Sequence, residues 1–133
     1  MKQVITLFFM VALFGQTMFG ADYYVATTGS DSNAGTLASP FATIQHAIDI
    51  IAAGDYIYVR GGTYTYSVEV NIASTNDGTN TGIKHLWAYA GEKPVLDFSS
   101  QPYGSTSSVS NPRGLSVNGD YWHVKGLEIK GAA

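Results

Sequence analysis

Short stretches of alternating apolar and polar residues, each closed by glycine or a polar turn, recur at intervals of about thirty residues. In Asp55-Tyr56-Ile57-Tyr58-Val59-Arg60, Ile57 and Val59 share one face, while Tyr56, Tyr58 and Arg60 take the other. Gly61-Gly62-Thr63 turns the chain, and Tyr64-Thr65-Tyr66 and Val68-Glu69-Val70-Asn71-Ile72 give further strand. The pattern returns in His85-Leu86-Trp87-Ala88-Tyr89-Ala90, then in Val95-Leu96-Asp97-Phe98 after Gly91-Glu92-Lys93-Pro94, and again in Gly114-Leu115-Ser116-Val117. Segments starting near Ile57, Leu86 and Leu115 are taken as equivalent positions of successive repeats. Strands with a long fixed period and loops on the same side specify a solenoid rather than a sandwich.

One segment breaks the period of two. Phe41, Ile44, Ile48 and Ile51 recur at three- and four-residue intervals, with Gln45, His46 and Asp49 opposite them. Ser39-Pro40 supplies an N-cap and a first-turn proline, and Gly54 supplies the stop. A helix is therefore expected from Pro40 to Ala53. In a parallel β-helix each coil buries its inward side chains on the next, so the first coil exposes an apolar cross-section. A helix with one apolar face, placed before that coil, is suited to cover it. The stretch from Thr27 to Thr36 is rich in turn formers and reads as a loop, as do Ser74 to Gly82 and Ser99 to Pro112.

The front of the chain has a separate character. Met1-Lys2 precedes the apolar run Leu7 to Phe14, which is too short to span a bilayer comfortably, and small residues follow at Gly15, Gly20 and Ala21. Residues 1–21 are read as a secretory signal peptide, leaving residues 22–133 as one domain outside the cell. No cysteine is present, so the domain relies on packing and backbone pairing rather than disulfides. Seven cations stand against ten carboxylates, and removal of the leader takes Lys2 with it. That balance argues against nucleic acid or an anionic membrane as partner. An anionic sugar stays open, because a divalent cation can bridge acid to acid.

Four segments together resemble one known opening: Tyr23-Tyr24-Val25-Ala26, Gly29-Ser30-Asp31-Ser32-Asn33-Ala34-Gly35-Thr36, Ser39-Pro40-Phe41-Ala42-Thr43-Ile44-Gln45-His46-Ala47, and Gly54 through Tyr64. They are similar to the N-terminal section of secreted right-handed parallel β-helix proteins, above all the family 9 polysaccharide lyases, which include pectate lyases. Gly91 through Phe98 and Tyr121 through Ile129 fit the same pattern. The resemblance implies a right-handed parallel β-helix, here its first coils with an N-terminal capping helix. It also implies β-elimination on a uronic-acid polysaccharide such as polygalacturonate, with calcium held by aspartates and a lysine as base. Those aspartates and that lysine lie on later coils of the family, so no catalytic residue is carried over. The complete protein is expected to act as a monomer.

Candidate site residues are weighed individually. Tyr56, Tyr58 and Arg60 form a plausible sugar-stacking and carboxylate-clamping surface, although a ladder of stacked tyrosines between coils explains the aromatics equally well. Arg113 is a second possible clamp. Asp31-Ser32-Asn33-Ala34-Gly35 lacks the ligand pattern of a calcium loop and reads as a turn, as does Asp77-Gly78. Asp97 alternates outward from a strand and reads as solvated edge charge. Lys125 and Lys130 lack a neighbouring cation that would lower their pKa to that of a base. His46, His85 and His123 have no zinc-site spacing.

The final segment, Tyr121 to Lys130, reads as strand, turn, strand, with Trp122, Val124, Leu127 and Ile129 at strand spacing. The expectation is an enzyme's front end whose catalytic coils lie elsewhere, inactive by itself. Its rivals are a non-catalytic β-helix that binds carbohydrate or mediates adhesion, and a glycoside hydrolase with paired carboxylates on neighbouring coils.

Overall fold

The structure is a computed structural model that describes residues 19–102 and 113–132. The proposed leader, up to residue 18, and most of the 99–112 loop lie outside the described residues. After β1 (Asp22–Val25) comes the helix α1 (Ile44–Ile50), then β2 (Tyr56–Val59), β3 (Gly62–Thr65) and β4 (Val70–Ile72). A short 3-10 turn at Ser74–Asn76 leads to β5 (Lys84–Ala88) and β6 (Pro94–Asp97). The described chain closes with β7 (Leu115–Val117), β8 (Trp122–Lys125) and β9 (Glu128–Lys130). These strands assemble into three sheets ordered β1-β2-β5-β8, β3-β6-β9 and β4-β7. Every ladder between them is parallel.

Register decides which residues repeat. Ile57 lies beside Leu86 in the first sheet, and Leu86 lies beside Val124. Leu115, expected to be the next equivalent of Leu86, instead pairs with Val70 in the third sheet. Two polar loops of different length separate the strands, and residues 99–112 delay β7 and β8 along the chain. A spacing count that ignores insertions therefore slips by one strand.

Period-two alternation sorts the side chains. Val25, Ile57, Val59 and Leu86 of the first sheet are fully buried, as are Leu96 and Phe98 from the β6 segment and Ile72 from β4. They merge with Ile44, Ala47 and Ile48 of α1 into one core. Withdrawing such aliphatic side chains from water contributes about 1.5–3 kcal/mol each, before the entropy of ordering them is set against it. Tyr66 stacks on Phe98 with centroids 5.2 Å apart, extending the same contact from one turn of the chain to the next.

The helix is shorter than its apolar pattern. It is capped by Thr43, whose hydroxyl accepts the His46 N–H, rather than by Ser39. Phe41 keeps its apolar spacing but its backbone is extended: its N–H donates to Tyr24 O, and its carbonyl accepts the Ala26 N–H. Pairing with β1 thus takes the first expected turn away from the helix. At the other end Ile51 is the C-cap, and Gly54, at φ +91°, serves the turn beyond it. That turn is held by Asp55, whose carboxylate accepts the Ala21 and Ala52 N–H groups. The buried side of α1, Ile44, Ala47 and Ile48, packs against β1, β2 and β4.

Candidate functional site: an aromatic face on the first sheet

The same alternation that buries the aliphatics turns aromatic residues outward. Across the four strands of the first sheet, one outward row reads Tyr24, Tyr58, Trp87, Lys125, each register partner of the next. The neighbouring row reads Asp22, Tyr56, His85, His123. Tyr24 stacks on Tyr58 at 5.5 Å, and Tyr56 lies almost coplanar with the His85 ring at 4.0 Å. Trp87 stands edge-on to Tyr56, Tyr58 and His123. Parallel strands about 4.8 Å apart set this spacing, which suits ring-on-ring contact. Tyr56 and Tyr58 therefore do form a ladder between turns of the chain, and that ladder is also a partly exposed surface.

Cations edge the face. Lys125 Nζ sits 5.2 Å from the Trp87 ring centre, and the Arg60 guanidinium sits 4.6 Å from that of Tyr89. Arg60 is committed elsewhere as well: its Nε and Nη2 bond Glu92 at 2.8–3.1 Å. Glu92 also accepts the Gly61 N–H, so its charge is satisfied within the turn that precedes β6. These contacts hold the Glu92 carboxyl below the ordinary range, chiefly through Arg60, and raise Arg60 in return. Between the turn and the sheet runs a groove of about 670 Å³, lined by Tyr58, Trp87, Tyr89, Lys93, Lys125 and Glu92 among others. Apolar walls with a few charged groups at the edge are the lining that small-molecule sites have in general.

Titration differs across the face. Burial, then the Asp22 charge, pushes the Tyr58 phenol above its ordinary value, so it stays a neutral hydrogen-bonding group. Burial, then the neighbouring His123, pushes His85 below 6.5, so its ring is neutral near pH 7. The Trp87 indole nitrogen is buried and finds no hydrogen-bond partner among the described residues.

The remaining candidates separate from this face. Both Asp31 oxygens are used at the start of α1, accepting the Ala42 and Thr43 N–H groups and the Thr43 hydroxyl. Asp77 accepts the Asp120 N–H. Asp97 pairs with Lys130 at 3.0 Å across β6 and β9, so it is a cross-strand pair rather than free edge charge. Arg113 is exposed and precedes β7, which belongs to the third sheet. His46 packs edge-on against Phe41. No group of three acidic, histidine or cysteine side chains placed to hold a metal occurs among the described residues. None of the described helices is long and apolar enough to cross a membrane. Trp87, Tyr89, Lys93 and the Glu92 partner of Arg60 were missed as site residues, although the recurrence of aromatics at 24, 58 and 87 was a usable signal.

The family model described as "Pel9A-like, right handed beta helix region" matches residues 23–133. The chain belongs to the Pel9A-like right-handed β-helix family. A Pectate lyase L of Paenibacillus polymyxa (strain SC2) is 51% identical over 116 residues, which is 87% of this chain and 24% of that protein. Among solved structures, a rhamnogalacturonan lyase superposes with TM-score 0.71 at 25% identity, over 83% of this chain and 28% of that one. Pectate lyase Pel9A superposes with TM-score 0.62 at 27% identity, over 80% of this chain and 27% of that one. This Pel9A-like chain thus spans about a quarter of the length of the curated relative and of the solved chains.

Proposed function

We propose that this Pel9A-like chain is the capping helix and opening coils of a secreted solenoid lyase that cleaves polygalacturonate by β-elimination. The observation that supports the reading most is the 51% identity to a pectate lyase over 87% of the chain. In this reading α1 closes the end of the β-helix, and the three parallel sheets continue into further coils that complete the enzyme.

The calcium expected of the family does not fit the residues described here. Asp31, Asp55, Asp77, Asp97 and Glu92 each spend carboxylate oxygens on N–H groups, a hydroxyl or a cation. Sites for a divalent cation need several free oxygens converging on one point. Metal ligands and the lysine base are therefore assigned to the later coils. What the opening coils contribute is anchoring: rings for sugar faces, and cations beside them for uronate carboxylates.

The test is the rise in ultraviolet absorbance from unsaturated product when the complete protein meets polygalacturonate with calcium. The expected result is a steady increase abolished by chelation. No increase, together with retained binding to the polymer, would favour a non-catalytic carbohydrate-binding β-helix, a reading that the aromatic face supports by needing no catalyst.

A further inference from the structure

We infer that the groove over Trp87 is a non-catalytic subsite that grips a stretch of polyuronate, with Trp87 and Tyr89 as the ring platform and Lys93 and Lys125 as carboxylate contacts. This rests on the polyuronate reading above and adds a place and a charge logic to it.

Three observations converge. The first is the lining itself, in which Tyr58, Trp87 and Tyr89 sit beside exposed lysines in one groove. The second is register: Tyr58, Trp87 and Lys125 lie in one row across adjacent strands, so the aromatic run ends on a cation. The third is charge. Glu92, the acidic side chain in the lining, is neutralised by Arg60, which leaves Lys93 and Lys125 uncompensated within the groove. The protein as a whole is acidic, with a formal charge of −3, so a local cationic edge on an aromatic surface is not inherited from composition. Asp22 belongs to the other outward row, at the far strand of the sheet. A polymer that alternates apolar ring faces with carboxylates is complementary to rings edged by lysines. A neutral polysaccharide would leave both lysines unused, and a nucleic acid would meet a net negative protein.

The experiment follows the Trp87 indole N–H resonance of the complete protein, assigned by loss of the signal in Trp87→Phe, while trigalacturonate is added with a calcium chelator present. The expected result is a saturable shift, weakened by up to about five-fold in each of Lys93→Gln and Lys125→Gln, the range of exposed ion pairs. The weakening caused by each lysine substitution should shrink at higher salt, because added ions screen the exposed lysines from the carboxylates in the unsubstituted protein as well. Lys130→Gln, on a different sheet, should leave the affinity unchanged. Absence of a saturable shift, equal affinity for neutral galactotriose, or equal weakening by Lys130→Gln would each overturn the inference. The lyase assay is read separately. A shift without unsaturated product sinks only the lyase reading, and product without a shift sinks only the subsite.

Discussion

Gln45 of the helix pairs with the backbone of Asn71 as a strand would. Its Oε1 accepts the Asn71 N–H at 2.8 Å, and its Nε2 donates to the Asn71 carbonyl at 3.0 Å. β4 has a strand partner on one side, β7, and its other edge faces the helix. A primary amide carries the same donor and acceptor as a peptide, so one side chain satisfies an edge that would otherwise template pairing with another chain. Gln45 is held in place by its own bond to Asp49, one helical turn on.

Gln45→Ala should destabilise the fold by about 1–2 kcal/mol, the range for losing hydrogen bonds and leaving partly buried partners unmet. Gln45→Glu should be worse at neutral pH, because a carboxylate oxygen then faces the Asn71 carbonyl. Urea denaturation of both variants checks the order, and the gap between them should narrow in acid as the introduced carboxyl protonates.

Gly35 sits at φ +76° and is buried, and a Cβ there would run into the rings of Phe41 and Tyr23. Gly35→Ala should destabilise by more than about 1 kcal/mol, since both backbone and packing oppose it. An equal loss with Phe41→Leu in the background would show that the Phe41 ring is not responsible, leaving the backbone conformation and Tyr23; a smaller loss assigns part of it to the Phe41 contact.

The depressed pKa of His85 makes the aromatic face acid-sensitive. In the folded state its ring resists protonation through burial and then through His123. As pH falls through about 6.5, the unfolded chain takes up this proton first, so stability drops until the lower folded value is passed. Above about 6.5 this residue adds no slope. A histidine NMR titration should place His85 below the ordinary value, and His123→Gln should move it back upward.

Asp97 titrates at about 2, lowered by the Ser99 hydrogen bonds and then by Lys130. Its contribution is present in full above the ordinary value of 3.8 and is lost as pH falls through that value toward about 2. Asp97→Asn should flatten the stability profile in that window while leaving the His85 window unchanged. Thermal melts from pH 2 to 7 on the two proteins check the separation.

The sequence by itself determined the strands, the apolar face of the helix and the outward aromatics, because period-two and period-3.6 patterns are properties of neighbouring residues. Tertiary structure alone decided which strand lies on which. Leu115 reads like the next repeat of Leu86, yet it stacks on Val70, since pairing depends on hydrogen bonds between distant segments and on the length of the loops between them. The same holds for Phe41, whose helical spacing gives way to a bridge with β1. The site followed suit. Tyr58 and Arg60 were legible on one strand, whereas their meeting with Trp87, Glu92 and Lys125 exists only because parallel register brings separate turns of the chain side by side.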